Sequence, residues 1–301
     1  MSPAEQPQSA PEDLLSVSSV ARRLGVAPAT LRTWARRYGI GPNEHEAGSH
    51  RKYCPSDLAK LTVMRRLISA GVAPADAAEQ AKAHKGEVVI EEFTSLCREC
   101  EETINAIFNA AEALDSLFVE TMLRNEITEN GIISAWQEVF VPVLIQVGAA
   151  WEKSGKGIEV EHMLTEILTR VLRESVSENV VPVNARPVLL ASVGEELHSL
   201  ALHALAAALA ERGIETHFLG ARTPVEAISS MVSRFAPPAV FLWAQLPVNG
   251  DPKFVTEIPS VRPAPRVIIG GPGWNPDKCQ NAHFVGSLTL AVDEIAMAVG
   301  A

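Results

Sequence analysis

Residues 188–193, Val-Leu-Leu-Ala-Ser-Val, form an apolar run with no charge and no polar alternation. A short run that is apolar toward both sides reads as a strand covered on both faces, which is how strands lie in parallel sheets. The chain after it keeps alternating. A helix is expected over 197–211, ended by Gly213, then a strand over 214–219, a helix over 224–235, strands over 239–244 and 266–269, and a closing helix over 288–298. Strand and helix in alternation predict a doubly wound, Rossmann-like α/β domain, here spanning 187–301.

Upstream, strand character almost disappears. Residues 88–181 read as four helices, near 88–110, 112–128, 131–150 and 158–179. Ile104, Ile107, Phe108, Leu114, Leu117 and Phe118 fit an inward stripe, and short links predict an antiparallel four-helix bundle. Pro142 and Gly148 are expected to kink or fray the third helix. The segment Pro182-Val-Asn-Ala-Arg-Pro187 reads as a linker. Residues 1–15 begin with Pro, Ser, Gln and Glu and read as a disordered leader.

Between leader and bundle, residues 16–85 form a separate helical module. Val17, Val20, Ala21 and Leu24 recur at helical spacing, and Gly25 stops the run. Pro28 opens a second helix through Thr30, Leu31, Trp34 and Tyr38, ended by Gly39. Two short helices on a three-residue turn containing glycine are a helix-turn-helix signature. A polar loop follows, then Arg51-Lys52-Tyr53, a third helix from Pro55 and a shorter fourth from Pro74.

Charge separates the same parts. The 301 residues carry a net charge of −10, which taken as a uniform property would argue against a nucleic-acid partner. The charge is not uniform. Residues 16–85 hold twelve Lys and Arg against five Asp and Glu, a net +7, while residues 86–301 hold 14 against 28, a net −14. A basic module on an acidic body points to nucleic acid. The longest uncharged apolar stretch, 197–210, is shorter than the roughly 20 residues a bilayer needs, so no membrane partner is expected. The first residues have neither a basic patch nor an apolar core of a signal peptide, and the four cysteines build no disulfide scaffold, so a reducing cytoplasm is expected. Cys97 and Cys100 form a C-x-x-C without a second pair, in helix-like sequence, and read as ordinary helix cysteines.

The second helix carries Thr30, Arg32, Arg36 and Arg37. A recognition helix enters the major groove by its first residues while flanking bases hold phosphates. Arg51, Lys52 and Tyr53 suit a wing that grips the backbone. The bland alternative is a solvated basic face. The order Ser16-Val17, Val20-Ala21-Arg22, Gly25-Val26, Thr30-Leu31-Arg32, Trp34 and then Arg51-x-Tyr53 resembles the winged helix-turn-helix of the MerR family of transcription regulators, over about residues 15–84. The cysteines that metal-sensing members carry are not matched here, so the effector implied is something other than a metal ion.

His198 follows the first expected strand, at the ligand-binding mouth of an α/β sheet. A lone His there can be a cap or core residue. With Glu196 on one ring nitrogen it would leave the other free for a metal. The longer pattern Glu196-x-His198-x-x-Ala201, Ala244-x-Leu246 and Gly270-Gly271 resembles the cobalamin-binding domain of methionine synthase and its relatives. The resemblance implies that His198 is the lower cobalt ligand and that the cofactor's nucleotide tail enters the domain past residues 244 and 270–271. The family has Gly where this chain has Ala201 and Ser where it has Ala244, so a hydroxyl contact is lost while room is kept. Trp151, nine residues and Glu161-His162 resemble the helical cap of the CarH/LitR photoreceptor family, MerR-type repressors that use adenosylcobalamin. This implies that Trp151, Glu161 and His162 line the pocket of the upper ligand. Light-sensing members have a His directly after that Trp, where this chain has Glu152.

These readings together imply a regulator and not an enzyme: a repressor of double-stranded operator DNA, controlled by cobalamin, with adenosylcobalamin ahead of methylcobalamin or another upper ligand. By the family resemblance it assembles as a homo-oligomer, dimer or tetramer, and light disrupts the assembly. Two other classes stay open at this point: a corrinoid methyl carrier or methyltransferase module, and a cobalamin-independent repressor that uses its last domain for assembly.

Overall fold

The computed structural model describes residues 15–24, 26–42, 52–69, 72–83, 100–177 and 182–300. The expected leader before Leu15, Gly25, the wing loop with Arg51, and the start of the 88–110 helix with Cys97 lie outside those residues. The chain forms two compact units, Met1–Phe118 and Val119–Ala301.

In the first unit, β1 (Leu15–Ser16) pairs antiparallel with β2 (Lys52–Tyr53), so Leu15 belongs to a strand and not to the leader. Helices α1 (Val17–Leu24), α2 (Pro28–Tyr38), α3 (Pro55–Ser69) and α4 (Pro74–Ala83) follow the expected order. Pro28 occupies the first turn of α2, where its missing N–H is no loss. Gly39, with φ +67°, closes the helix in the left-handed conformation that glycine adopts without strain. Val20, Leu24, Leu31, Trp34, Leu61 and Met64 are buried. Arg65 and Arg66 of α3 both bind Asp115, with Arg66 Nε 3.1 Å from Oδ2. Asp115 follows α5 (Cys100–Glu112) and caps α6 (Ser116–Ser134), its Oδ1 accepting from Phe118 N at 3.3 Å.

From α6 the chain runs through a π-helical segment, Ala135–Phe140, into α7 (Val141–Ser154), then turns into α8 (Ile158–Ser177). The expected break at Pro142 is thus a widened turn. Proline lacks an N–H and its ring collides with the carbonyl four residues earlier, and an i+5 turn relieves both. The Val141 N–H accordingly reaches Trp136 O. Gly131, with non-helical φ and ψ, interrupts the run earlier. By length and composition Ser116–Ser154 is long and apolar enough to cross a membrane, with 33% of its most apolar window buried. A count of uncharged residues overlooks it because that count stops at each charge.

The rest of the second unit is a five-stranded parallel sheet of β3 (Val188–Val193), β4 (Thr216–Thr223), β5 (Ala239–Trp243), β6 (Arg266–Gly270) and β7 (His283–Val285), in the order β4-β3-β5-β6-β7. Every residue of β3 is buried, as an apolar run in a central strand requires. Helices α9 (Leu200–Glu211) and α12 (Leu288–Val299) pack on one face, joined by residues of α6 and α8; α10 (Val225–Phe235) and α11 (Lys253–Thr256) pack on the other. The expected linker is anchored: Asn184 is buried, donates to Arg186 O and Glu215 O and accepts from Glu215 N.

Two contacts give the direction of the α6–α7 run. Ile132 N donates to Glu211, at the end of α9, which lies at the amino edge of the sheet. Gln137 binds Thr289, in the first turn of α12, at the carboxyl edge. Helix α7 therefore continues beyond the carboxyl ends of the strands, and α8 returns.

Candidate functional site

The chain leaves β3 for β4 on one side and then crosses back to β5 on the other. The carboxyl ends of β3 and β5 therefore flank the topological switch point, the usual crevice for a ligand in such a sheet. The loop after β3 holds Glu196 and His198, and the residues after β5 are Ala244, Gln245 and Leu246. His198 lies in the loop, two residues ahead of α9, and not inside a helix beginning at 197. Its backbone is committed elsewhere: its N–H donates to Glu196 and its carbonyl accepts from Ser192 Oγ at 3.1 Å.

Glu196 is fully buried. Its Oε1 accepts from His198 N at 3.0 Å and faces His198 Nδ1 at 2.5 Å, while Oε2 accepts from Gln245 N at 2.8 Å, Leu246 N at 2.9 Å and Asn249 Nδ2 at 3.1 Å. Burial works against ionisation, but the hydrogen bonds outweigh it and lower the carboxyl pKa to about 2. An ionised carboxylate has no proton to give, so the His198 Nδ1–H is the donor, and in the neutral ring this tautomer leaves the lone pair on Nε2. The His198 ring is 57% exposed, which makes that nitrogen available to a ligand. Leu197, Leu246 and Val248 are exposed apolar side chains in the same two loops.

The other sequence-derived positions divide. Ala244 is buried and Ala201 half-buried in the first turn of α9. Gly270 and Gly271 are required by the fold itself: a Cβ on Gly270 would stand 2.6 Å from the Phe241 ring, and one on Gly271 2.3 Å from Ala244 O. They bring the loop after β6 against the loop after β5, whatever else approaches them. Trp243, beside them, has its indole N–H buried without a partner. Trp151 lies in the last turn of α7, where its carbonyl accepts from the capping Gly155 N at 2.7 Å, and Glu161 and His162 lie in the first turns of α8. All three are exposed, on the hairpin that projects past the carboxyl edge of the sheet.

Among the described residues no group of three or more His, Cys, Asp or Glu could hold a metal ion. One imidazole with a carboxylate behind it suits a metal that arrives with its other ligands already in place, as cobalt does in a corrin ring.

In the first unit, Arg32, Arg36 and Arg37 are exposed on α2, Thr30 is half-buried and Lys52 is exposed. Tyr53 is fully buried, which corrects its expected place on the wing surface. Neighbouring residues of a strand face opposite sides, so Lys52 and Tyr53 cannot both point outward. Asn249 was not found from sequence; it stands alone in a loop, and no spacing marks it.

Residues 15–83 match the MerR HTH family regulatory protein model, and residues 103–174 and 186–295 each match a B12 binding domain model. The chain is 27% identical over 232 residues to the HTH-type transcriptional repressor CarH of Myxococcus xanthus, covering 75% of this chain and 77% of that one. It is 26% identical over 265 residues to the repressor CarA of the same organism, covering 86% and 87%. Among solved structures, a monomethylamine corrinoid protein of Methanosarcina barkeri is similar at a TM-score of 0.49 and 14% identity, over 67% of this chain and all of that one. The chain joins a MerR-type helix-turn-helix domain to B12 binding domains, and is a cobalamin-binding transcription regulator similar to CarH and CarA.

Proposed function

We propose that this regulator is a cytoplasmic repressor that holds double-stranded operator DNA as a homo-oligomer, dimer or tetramer, and that adenosylcobalamin sets the assembly state. Three functional parts carry this: the DNA module over 16–85, the helical cap over 88–181 and the α/β domain over 187–301. The observation that carries the cofactor reading is the exposed ring of His198 at the switch point, its Nδ1 bound to buried Glu196. His198 holds cobalt from below. Ala201, Ala244, Leu246, Gly270 and Gly271 border the path of the nucleotide tail, and Trp151, Glu161 and His162 cover the upper ligand. When bound, the cofactor would supply a cobalt centre that carries a light-labile alkyl group. Methylcobalamin or another upper ligand fits the same residues.

Thr30 and Arg32 read base edges, while Arg36, Arg37, Arg51 and Lys52 hold phosphates; Tyr53 supports the wing from the core. A ligand that favours one assembly shifts the population toward it, and each added DNA module multiplies avidity. Glu152 stands where light-sensing members of the family have a His, so no second histidine beside Trp151 would take up the cobalt, and the effector is either light acting on the upper group or cobalamin itself, with its own or another upper ligand.

The test is an absorption spectrum of purified protein after incubation with adenosylcobalamin and desalting. Retained cofactor with a histidine-ligated spectrum is expected, and loss of retention on His198→Ala. Cofactor lost on desalting would sink the ligand reading. Gel shifts in dark and light, with and without cofactor, should differ; equal DNA binding in all four conditions defeats the switch.

A further inference from the structure

Trp243 is the last residue of β5, in register between Ser192 of β3 and Gly270 of β6. Side chains alternate between the faces along a strand, and residues in register across a parallel ladder share a face. Here that is the face covered by α9 and α12, and Trp243 packs against its core. Ser192 is fully buried, and its hydroxyl donates to the carbonyl of His198. On the other side Gly270 has no side chain, and a Cβ on Gly271 would stand 3.2 Å from Cε3 of the indole. The indole thus lies beside the residue that holds the His198 loop, with a small neighbour on either strand. Its Nε1–H is buried and has no acceptor among the described residues. Buried indole N–H groups normally meet an acceptor, since an unpaired one forfeits the hydrogen bond it had in water. Trp274 carries a second such N–H, but its ring packs on the opposite face, with α10 and α11.

A corrinoid held through His198 has its own lower base displaced from cobalt. If that base is a nitrogen heterocycle, the released ring nitrogen carries a free lone pair and accepts a hydrogen bond. Indole offers a flat apolar ring and one donor, which complement a flat base with one acceptor. Ala244, the next residue, has no hydroxyl that could serve instead. We infer that Trp243 is a specificity-determining residue for the lower base: its ring contacts the base, and its Nε1–H donates to the nitrogen that His198 displaces. The class of ligand it favours is a corrinoid with a nitrogen heteroaromatic base, against one with a phenolic base or with none. This rests on the reading of His198 as the lower cobalt ligand.

The experiment compares three corrinoids on the full chain in the dark, by equilibrium dialysis. Adenosylcobalamin has a benzimidazole base, the adenosyl form of phenolyl cobamide has a base without a ring nitrogen, and adenosylcobinamide has no base. Trp243→Phe keeps an aromatic ring and removes the N–H. Each corrinoid is compared with itself on the unaltered and altered chains, so the cost of detaching its own base from cobalt cancels. Loss of one hydrogen bond predicts about tenfold weaker binding of adenosylcobalamin, a smaller loss for the phenolyl form and none for adenosylcobinamide. Trp274→Phe should leave all three in their original order. Equal losses for the three corrinoids, or none for adenosylcobalamin, would overturn the role of Trp243 while leaving the cofactor reading intact. A measurement without substitution guards against a variant that fails to fold. In the unaltered chain carrying isotope-labelled tryptophan, one indole N–H resonance should move with adenosylcobalamin and stay in place with adenosylcobinamide. A set of indole signals that does not distinguish the two corrinoids overturns the inference. Failure of the unaltered chain to retain any of the three overturns the reading of His198 as well.

Discussion

Glu196 concentrates more of the site's chemistry than His198 does. A carboxylate buried with five hydrogen bonds stabilises the loops it joins as well as the imidazole it orients. Its folded pKa of about 2 is below the ordinary 4.5, so its contribution is complete above pH 4.5 and is lost as pH falls toward 2. Glu196→Gln turns one acceptor oxygen into an amide nitrogen facing donors, and should cost about 3 kcal/mol near neutral pH. Urea unfolding followed at several pH values would show that cost shrinking in acid. His203 has the opposite charge logic. Burial, followed by the charge of Arg173, lowers its pKa to about 4, and its ring stacks on Phe218 at 4.4 Å. Below pH 6.5 the unfolded chain takes up a proton that the folded chain refuses, so stability falls between pH 6.5 and 4. His203→Phe keeps the stack and should flatten that part of the profile. Glu196-x-His198 was legible as a pair because both lie in one motif. Asn249 was not, because a contact across 53 positions leaves no spacing to read.

Among the elements, the junction between α5 and α6 is the most heavily anchored in the first unit. Asp115 caps α6 and binds both Arg65 and Arg66, with all three side chains nearly buried. Removing the shared partner leaves two guanidinium groups without their anion, and breaking such a buried pair typically costs about 3–5 kcal/mol. Asp115→Ala should therefore lower the unfolding midpoint clearly, whereas Asp115→Asn should recover the cap alone; thermal unfolding of the two variants distinguishes these contributions. Helix starts and stops at Pro28 and Gly39 were readable because each acts through its own backbone. The π-helical segment before Pro142 was not, since sequence marks the obstruction and not how the chain passes it.

Across the whole molecule, the net charge of −10 describes two opposed parts, a basic module of +7 and an acidic remainder. Contact with DNA through the basic module releases counterions, so binding should weaken steeply with salt. If exposed Arg36 holds phosphate, as proposed, Arg36→Ala should weaken binding evenly across operator sequences and reduce the salt slope by about 1. Titration at several salt concentrations measures both. Arg32→Ala, nearer the start of the recognition helix, should cost about 1–3 kcal/mol and relax the choice of base. If both changes lower only the overall affinity, Arg32 holds phosphate and reads no base.

Chain order, the change from helical to alternating pattern and the placement of His198 after the first strand all follow from local periodicity and short motifs. These act over a few residues, so the linear chain carries them in full. The burial of Tyr53, the crevice between β3 and β5, the demand for glycine at 270 and 271, and the bond from Asn249 to Glu196 do not follow from any local rule. They arise where segments far apart in sequence meet, and packing alone sets which atoms come within reach of one another.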